Sequence, residues 1–196
     1  MPAVERALAR VAKDFFEETD AWRLNFDQMP LMKGVYSYPL PLDFHGDRVL
    51  LNRVLEVTLG AGKLSASSEA QLSSRFGTWR TSEGPPAFFY ADRSEVLNIA
   101  PPPARDSGEG EYLSVLATVK PTLKTRCMPE DLYCEYEDVF IEGVLGMLMR
   151  SVGKNWSDPG NAAAHLAGYE EGRARAKVHA NHDDTSKVRV VHYGGL

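Results

Sequence analysis

Apolar positions along this chain change period twice. Val4, Ala7, Leu8, Val11 and Phe15 recur at helical spacing and predict an amphipathic helix over residues 3–18, ending near Thr19-Asp20. From Ala21 to about Thr125 the period shortens to that of strands. Trp22, Leu24 and Phe26 alternate with polar residues, as a half-buried strand does. The stretch from Gly34 to Leu42 is extended, and Pro39 and Pro41 confine it to an edge. Val49 to Leu59 is rich in β-branched residues and stops at Gly60-Ala61-Gly62. Ser68 followed by Gln71 has the form of a capping box, which predicts one short helix reaching Phe76. After Gly84-Pro85-Pro86, the runs Ala87–Ala91 and Glu95–Ile99 form a hairpin through Asp92-Arg93-Ser94. A loop from Pro101 to Gly110 precedes the closing strand Tyr112–Lys120. About six strands in an antiparallel sheet or small sandwich are expected.

The helical period returns at Pro129. Glu130 and Asp131 suit the positive end of a helix dipole. Leu132, Tyr136, Val139, Phe140, Gly143, Val144 and Met147 fall on one broad face of that helix, and Asp131, Glu135, Asp138 and Glu142 fall on the opposite one. Gly143 and Gly146 each cost a helix about 1 kcal/mol against Ala, so close approach of another backbone is their expected use. Asp158 and Pro159 read as N-cap and first residue of a second helix. Its face of Ala162, Leu166, Tyr169, Gly172 and Ala176 is narrow and built largely from small residues. The two helices fold back on each other, with Trp156 as an apolar plug before the cap.

The tail from Asp184 to Leu196 has strand character in Val188, Val190, Val191, His192 and Tyr193, yet follows two helices. It returns to the sheet, pairs with another chain, or frays. The fold class is therefore α+β. A small helical bundle (N-terminal helix plus C-terminal helix hairpin) carries an inserted antiparallel β domain and an extended C-terminal tail. The expected division is 1–20 with 126–183 as the bundle, 21–125 as the β domain, and 184–196 as the extension.

Charge sharpens this picture. The net charge of −5 argues against a dedicated nucleic-acid binder. Six acids lie between Glu130 and Glu142 with no base among them, whereas Arg173, Arg175, Lys177, Lys187 and Arg189 dominate past Glu171. With 43% apolar residues the chain can bury a core without staples. Cys127 and Cys134 lack metal spacing and point to a reducing cytoplasm. There is neither an apolar run long enough to span a membrane nor a signal-peptide pattern at the N-terminus.

Candidate chemistry is thin. Gly60-Ala61-Gly62-Lys63 fails as a phosphate loop because Val57 stands where a glycine is needed and Leu64 follows the lysine. His179, His182, Asp183 and Asp184 have the residue types of a metal site, but a solvated terminus explains them more simply. The acidic helix face offers paired carboxylates without an aromatic platform. Neither catalysis, a cofactor nor a metal is expected.

The order of pieces then carries a resemblance. Ala21-Trp22-Arg23 follows the first helix, and Tyr36-Ser37-Tyr38-Pro39-Leu40-Pro41 comes next. Gly84-Pro85-Pro86-Ala87-Phe88-Phe89-Tyr90 lies in the β region. Val119-Lys120-Pro121-Thr122 leads to Met128-Pro129-Glu130-Asp131-Leu132, and Glu142–Leu148 and Asn155-Trp156-Ser157-Asp158-Pro159 close the series. This arrangement is similar to the head-to-tail adaptor proteins of tailed bacteriophages and resembles the tail tubular A, gatekeeper-like adaptors of short-tailed phages. The resemblance implies a structural virion protein of the neck, made in the host cytoplasm. It implies a ring, typically a dodecamer, between the portal protein and a tail or nozzle protein, with double-stranded DNA passing through without sequence preference.

On that basis Lys187, Val188, Arg189, Val190, Val191, His192 and Tyr193 are the candidate portal-binding residues. Asp131, Glu135, Asp138 and Glu142 are the candidate channel lining, where like charge repels phosphates. Gly143, Gly146, Trp156, Ala162 and Gly172 are the candidate subunit-packing residues. The competing expectations are another tail ring component (a terminator or tube protein), or a small cytoplasmic enzyme using the acidic helix.

Overall fold

The computed structural model describes residues 3–92, 95–108, 110–182 and 188–192, the last five by their backbone alone. The chain divides into two compact units. One comprises Met1–Trp22, Leu42–Asn52 and Val119–Lys187, and the other Arg23–Pro41, Arg53–Thr118 and Val188–Leu196. The α+β class expected from the two periods is the class found, with both antiparallel and parallel strand pairs.

The first unit is built on three helices: α1 (Ala3–Thr19), α3 (Glu130–Met149) and α4 (Pro159–His182). α1 buries Ala7, Val11, Ala12, Phe15 and Phe16. It stops where Asp20 turns to φ 56°, and Thr19 Oγ1 donates to the Phe15 carbonyl at 2.8 Å in the last turn. Rings interlock at the centre of this unit. Phe15 lies 4.9 Å from Tyr136 and 5.0 Å from Phe140, Phe16 lies 5.4 Å from Trp22, and Trp22 lies 5.2 Å from Phe44, between centroids. Such edge and tilted pairs add stabilisation beyond the area they bury. α3 bends at Tyr136, whose φ −113° and ψ 16° leave the helical region.

The two helix starts were legible from their caps. Asp158 accepts from the Asn161 backbone N–H at 3.1 Å and from its side-chain amide at 2.6 Å. These bonds hold the Asp158 carboxyl below the ordinary carboxylate range. In the second unit Ser68 and Gln71 make the reciprocal bonds of a capping box at 3.2 and 3.0 Å, starting α2 (Glu69–Phe76).

The strands are β1 (Arg23–Met29), β2 (Ser37–Pro39), β3 (Asp43–Phe44), β4 (Asp47–Leu59), β5 (Gly62–Lys63) and β6 (Ser65–Ala66), followed by β7 (Phe88–Ala91), β8 (Val96–Ala100), β9 (Leu113–Pro121) and β10 (Val188–His192). One sheet runs β10-β1-β9-β4-β3 with β5 beside β4, and the other runs β2-β8-β7-β6. β2 ends its sheet, where the missing N–H of Pro39 costs least. In β1, Leu24 and Phe26 are fully buried, opposite Ala117 and Val115 of β9, which are buried too. The register slips past Phe26, where Gln28 takes φ 61°. β7 and β8 form the expected antiparallel hairpin. Leu72 and Trp79 fasten α2 to a small cluster with Ala100, Tyr36, Phe88 and Tyr90.

Candidate docking surfaces

The α3–α4 hairpin is close-packed because three glycines admit side chains where a Cβ would stand. A Cβ on Gly143 would lie 2.6 Å from Val11 Cγ1 and 2.8 Å from Tyr169 Cδ2. One on Gly146 would lie 2.7 Å from Leu166 Cγ, and one on Gly172 2.7 Å from Val139 Cγ2. Ala162 is buried on the same face of α4. The sequence predicted close approach of another backbone; what fills these positions is chiefly side chains, with the Leu166 backbone N near Gly146 as well, and all belong to this chain. The candidate subunit-packing residues Gly143, Gly146, Ala162 and Gly172 thus lie inside the helix packing of one chain. Their small surfaces are filled from within the bundle. Trp156 is different: it is 45% exposed at the hairpin turn, near Val152 at 90%, and closes no plug.

The carboxylates of α3 split into two groups. Glu142 meets His165 Nδ1 at 2.8 Å, and Glu135 meets His179 Nδ1 at 3.1 Å, so both reach across to α4. Gly168 makes room for Glu142, since a Cβ there would touch its carboxylate oxygen at 3.0 Å. Asp131 and Asp138 are exposed, as are Glu130 and Glu137. Of the row of four, Asp131 and Asp138 are exposed, while Glu135 and Glu142 each meet a histidine of α4. The histidine partners were missed in the sequence. His165 lies 23 positions from Glu142, and no local spacing connects them.

Also invisible in the sequence was the tie between the first and last helices. Tyr169 donates its phenol to Asp14 Oδ2 at 2.8 Å, and Arg173 Nη1 meets the same oxygen at 2.6 Å. The Arg173 guanidinium stands 5.4 Å from the Tyr169 ring centroid. Burial, with the Asp14 carboxylate beside it, pushes the Tyr169 phenol well above its ordinary range. A loop is fastened in a comparable way. Asp47 Oδ2 accepts from the backbone N–H groups of Arg126 and Cys127 at 2.7 and 2.8 Å, just before α3 begins. Those bonds hold the Asp47 carboxyl below the usual range.

In the second unit the candidate portal-binding stretch forms β10. It pairs in parallel with β1, in the register Arg23↔Val188, Asn25↔Val190 and Asp27↔His192. Of the three outcomes open for the tail, the backbone adopts the return to the sheet. Lys187 and Tyr193 lie outside the described residues. β10 is the terminal strand of its sheet, so one side of its backbone has no strand partner among the described residues.

The surfaces described are shaped for packing and strand pairing. Among the described residues no helix is long and apolar enough to cross a membrane. No curated protein matches the chain. A family model described as SU10 adaptor protein matches residues 2–191. With nearly the whole length matched, the chain belongs to that family of phage head-to-tail adaptors.

Proposed function

We propose that copies of this chain close a dodecameric ring between the portal and the tail in the virion neck, with the DNA channel at its centre. The observation that carries the reading is the family match over residues 2–191. In this reading the exposed acids of α3, Asp131 and Asp138 with Glu130 and Glu137, face the channel. Like charge keeps the duplex from adhering there. Glu135 and Glu142 contribute less, because each carboxylate is shared with a histidine of α4.

Lateral contact between copies falls on exposed apolar residues, since the glycines are already filled. Val152 and Trp156 at the hairpin turn supply that surface. A head-to-tail contact of this kind closes into a ring when its rotation closes. A durable one buries above about 2,000 Å² in total. Portal docking uses the outer side of β10, where main-chain hydrogen bonds to an added strand give affinity. Electron microscopy of the protein mixed with portal tests the whole reading. A ring stacked on the portal is expected, and a lone monomer with no ring under any assembly condition ends it.

A further inference from the structure

Between the last residue of α3 and the cap of α4 the chain runs Arg150-Ser151-Val152-Gly153-Lys154-Asn155-Trp156-Ser157, with two bases and no acid. Val152 and Trp156 are exposed, and no carboxylate meets Arg150 or Lys154 among the described residues. An exposed indole flanked by cations has the chemistry of an interface anchor, since Trp and Arg are the side chains that most often dominate binding energy once a pocket receives them.

The second unit holds a pocket of the matching kind. The loop after β8 folds over the segment after β1 and the segment before β7. Gly34 N–H donates to the Pro103 carbonyl at 2.8 Å, Gly84 N–H to the Pro102 carbonyl at 2.8 Å, and Lys33 N–H to Asp106 Oδ1 at 2.7 Å. These bonds fix a hollow of about 510 Å³ whose apolar walls include Leu31, Leu59, Pro85, Pro86 and Pro103. Hollows of this volume hold ligands larger than one aromatic side chain. At its rim Glu111 meets Arg105 at 2.7 Å, and no cation meets the Asp106 carboxylate among the described residues.

We propose that this hollow receives Trp156 of a second copy, with Lys154 of that copy set against the acidic rim. Charge singles out the pairing. The hollow between α1 and the end of α3 carries Arg6 and Arg10 with no acid, and the groove between α1 and residues 121–128 carries Lys124 and Arg126 against Glu5. Both repel a basic tip, whereas the 510 Å³ hollow carries Asp106 and Glu111 against Arg105. Two turns facing each other would bring bases together, which like charge disfavours. A contact between two different surfaces of one chain is head-to-tail and propagates around a closed ring. The pairing rests on the ring proposed above and names the surface that receives the turn.

The test uses full-length protein. Copies labelled with ¹⁵N are mixed with unlabelled copies, then with portal, and treated with a zero-length carbodiimide that joins an amine to a touching carboxylate. Mass spectrometry of the digested product separates links between copies, which carry both labels, from links within one chain. A mixed-label link from Lys154 to Asp106 or Glu111 is expected, and Lys154→Arg, which keeps the charge and removes the reactive amine, should abolish it. Trp156→Ala should lower its yield roughly tenfold. Val178→Ala, which trims another exposed apolar residue of the same unit, should leave it unchanged.

Mixed-label links from Lys154 to other carboxylates alone, in rings visible by microscopy, overturn this pairing and leave the ring standing. A Lys154–Asp106 link found only within single chains overturns it as well, and an undiminished yield in Trp156→Ala removes the indole from the hollow. Absence of both a ring and any link between copies ends the pairing together with the ring.

Discussion

Replacing Gly143 by Ala sets two effects of opposite sign against each other. In a helix interior the exchange gains about 1 kcal/mol of propensity. The new methyl, however, would stand 2.6 Å from Val11 Cγ1 and 2.8 Å from Tyr169 Cδ2. Neither neighbour yields readily. Val11 is β-branched and buried, and the buried Tyr169 ring is pinned by its phenol bonds to Asp14 and to the Val11 carbonyl. Overpacking of this kind costs about 1–3 kcal/mol, so a net loss near ~1 kcal/mol is expected. In a domain of this size that lowers Tm by roughly 2–4 °C. Gly160→Ala is the matched control. A Cβ there would meet only Asp158 Oδ1, at an ordinary 3.6 Å, so the propensity gain stands unopposed. Thermal unfolding followed by circular dichroism, with urea midpoints as a second measure, should move the two variants in opposite directions. A Gly143→Ala protein as stable as the parent would refute the reasoning, because the interlock would then be slack.

Tyr169→Phe removes the bonds to Asp14 and the Val11 carbonyl, and about 1 kcal/mol of stability is expected to go with them. The folded phenol holds its proton above the ordinary pKa near 10.0, so the native state binds more protons than the unfolded chain at alkaline pH. Stability falls as pH rises past that value, and Tyr169→Phe should flatten the decline in urea midpoints between pH 9 and 11. For Asp158 the shift is downward, so its contribution is present above the ordinary carboxylate pKa and lost as pH falls through the lower folded value. Asp158→Asn should keep the cap and lose that acid dependence, whereas Asp158→Ala should lower the urea midpoint already at pH 7. Asp131→Lys with Asp138→Lys changes two exposed acids of α3 and leaves both histidine pairs intact. Particles carrying the pair should assemble normally and eject DNA more slowly; ejection at the parental rate would remove these acids from the channel.

Local patterns in the chain determined the elements. The 3.6-residue recurrence of Val11, Phe15, Tyr136 and Phe140 marked buried helix faces. The Ser68–Gln71 and Asp158–Asn161 caps follow from residues three apart, and the β7–β8 hairpin from alternation around a turn. These signals are readable because the groups that make them are neighbours along the backbone. The order of those elements was also enough to suggest the family. What fills the spaces between elements is a property of distant pairs, and only the tertiary structure decided it. The glycines of α3 promised close approach in any setting, yet it took the packing of α1 and α4 to make that approach internal. Tyr169 found Asp14 across 155 positions, and His165 and His179 found the carboxylates of α3. The strand character of Val188–His192 was plain, but its parallel seat on β1 was not. A strand ladder uses backbone groups that every residue carries, so β-propensity shows that a segment will pair and leaves its partner to the fold.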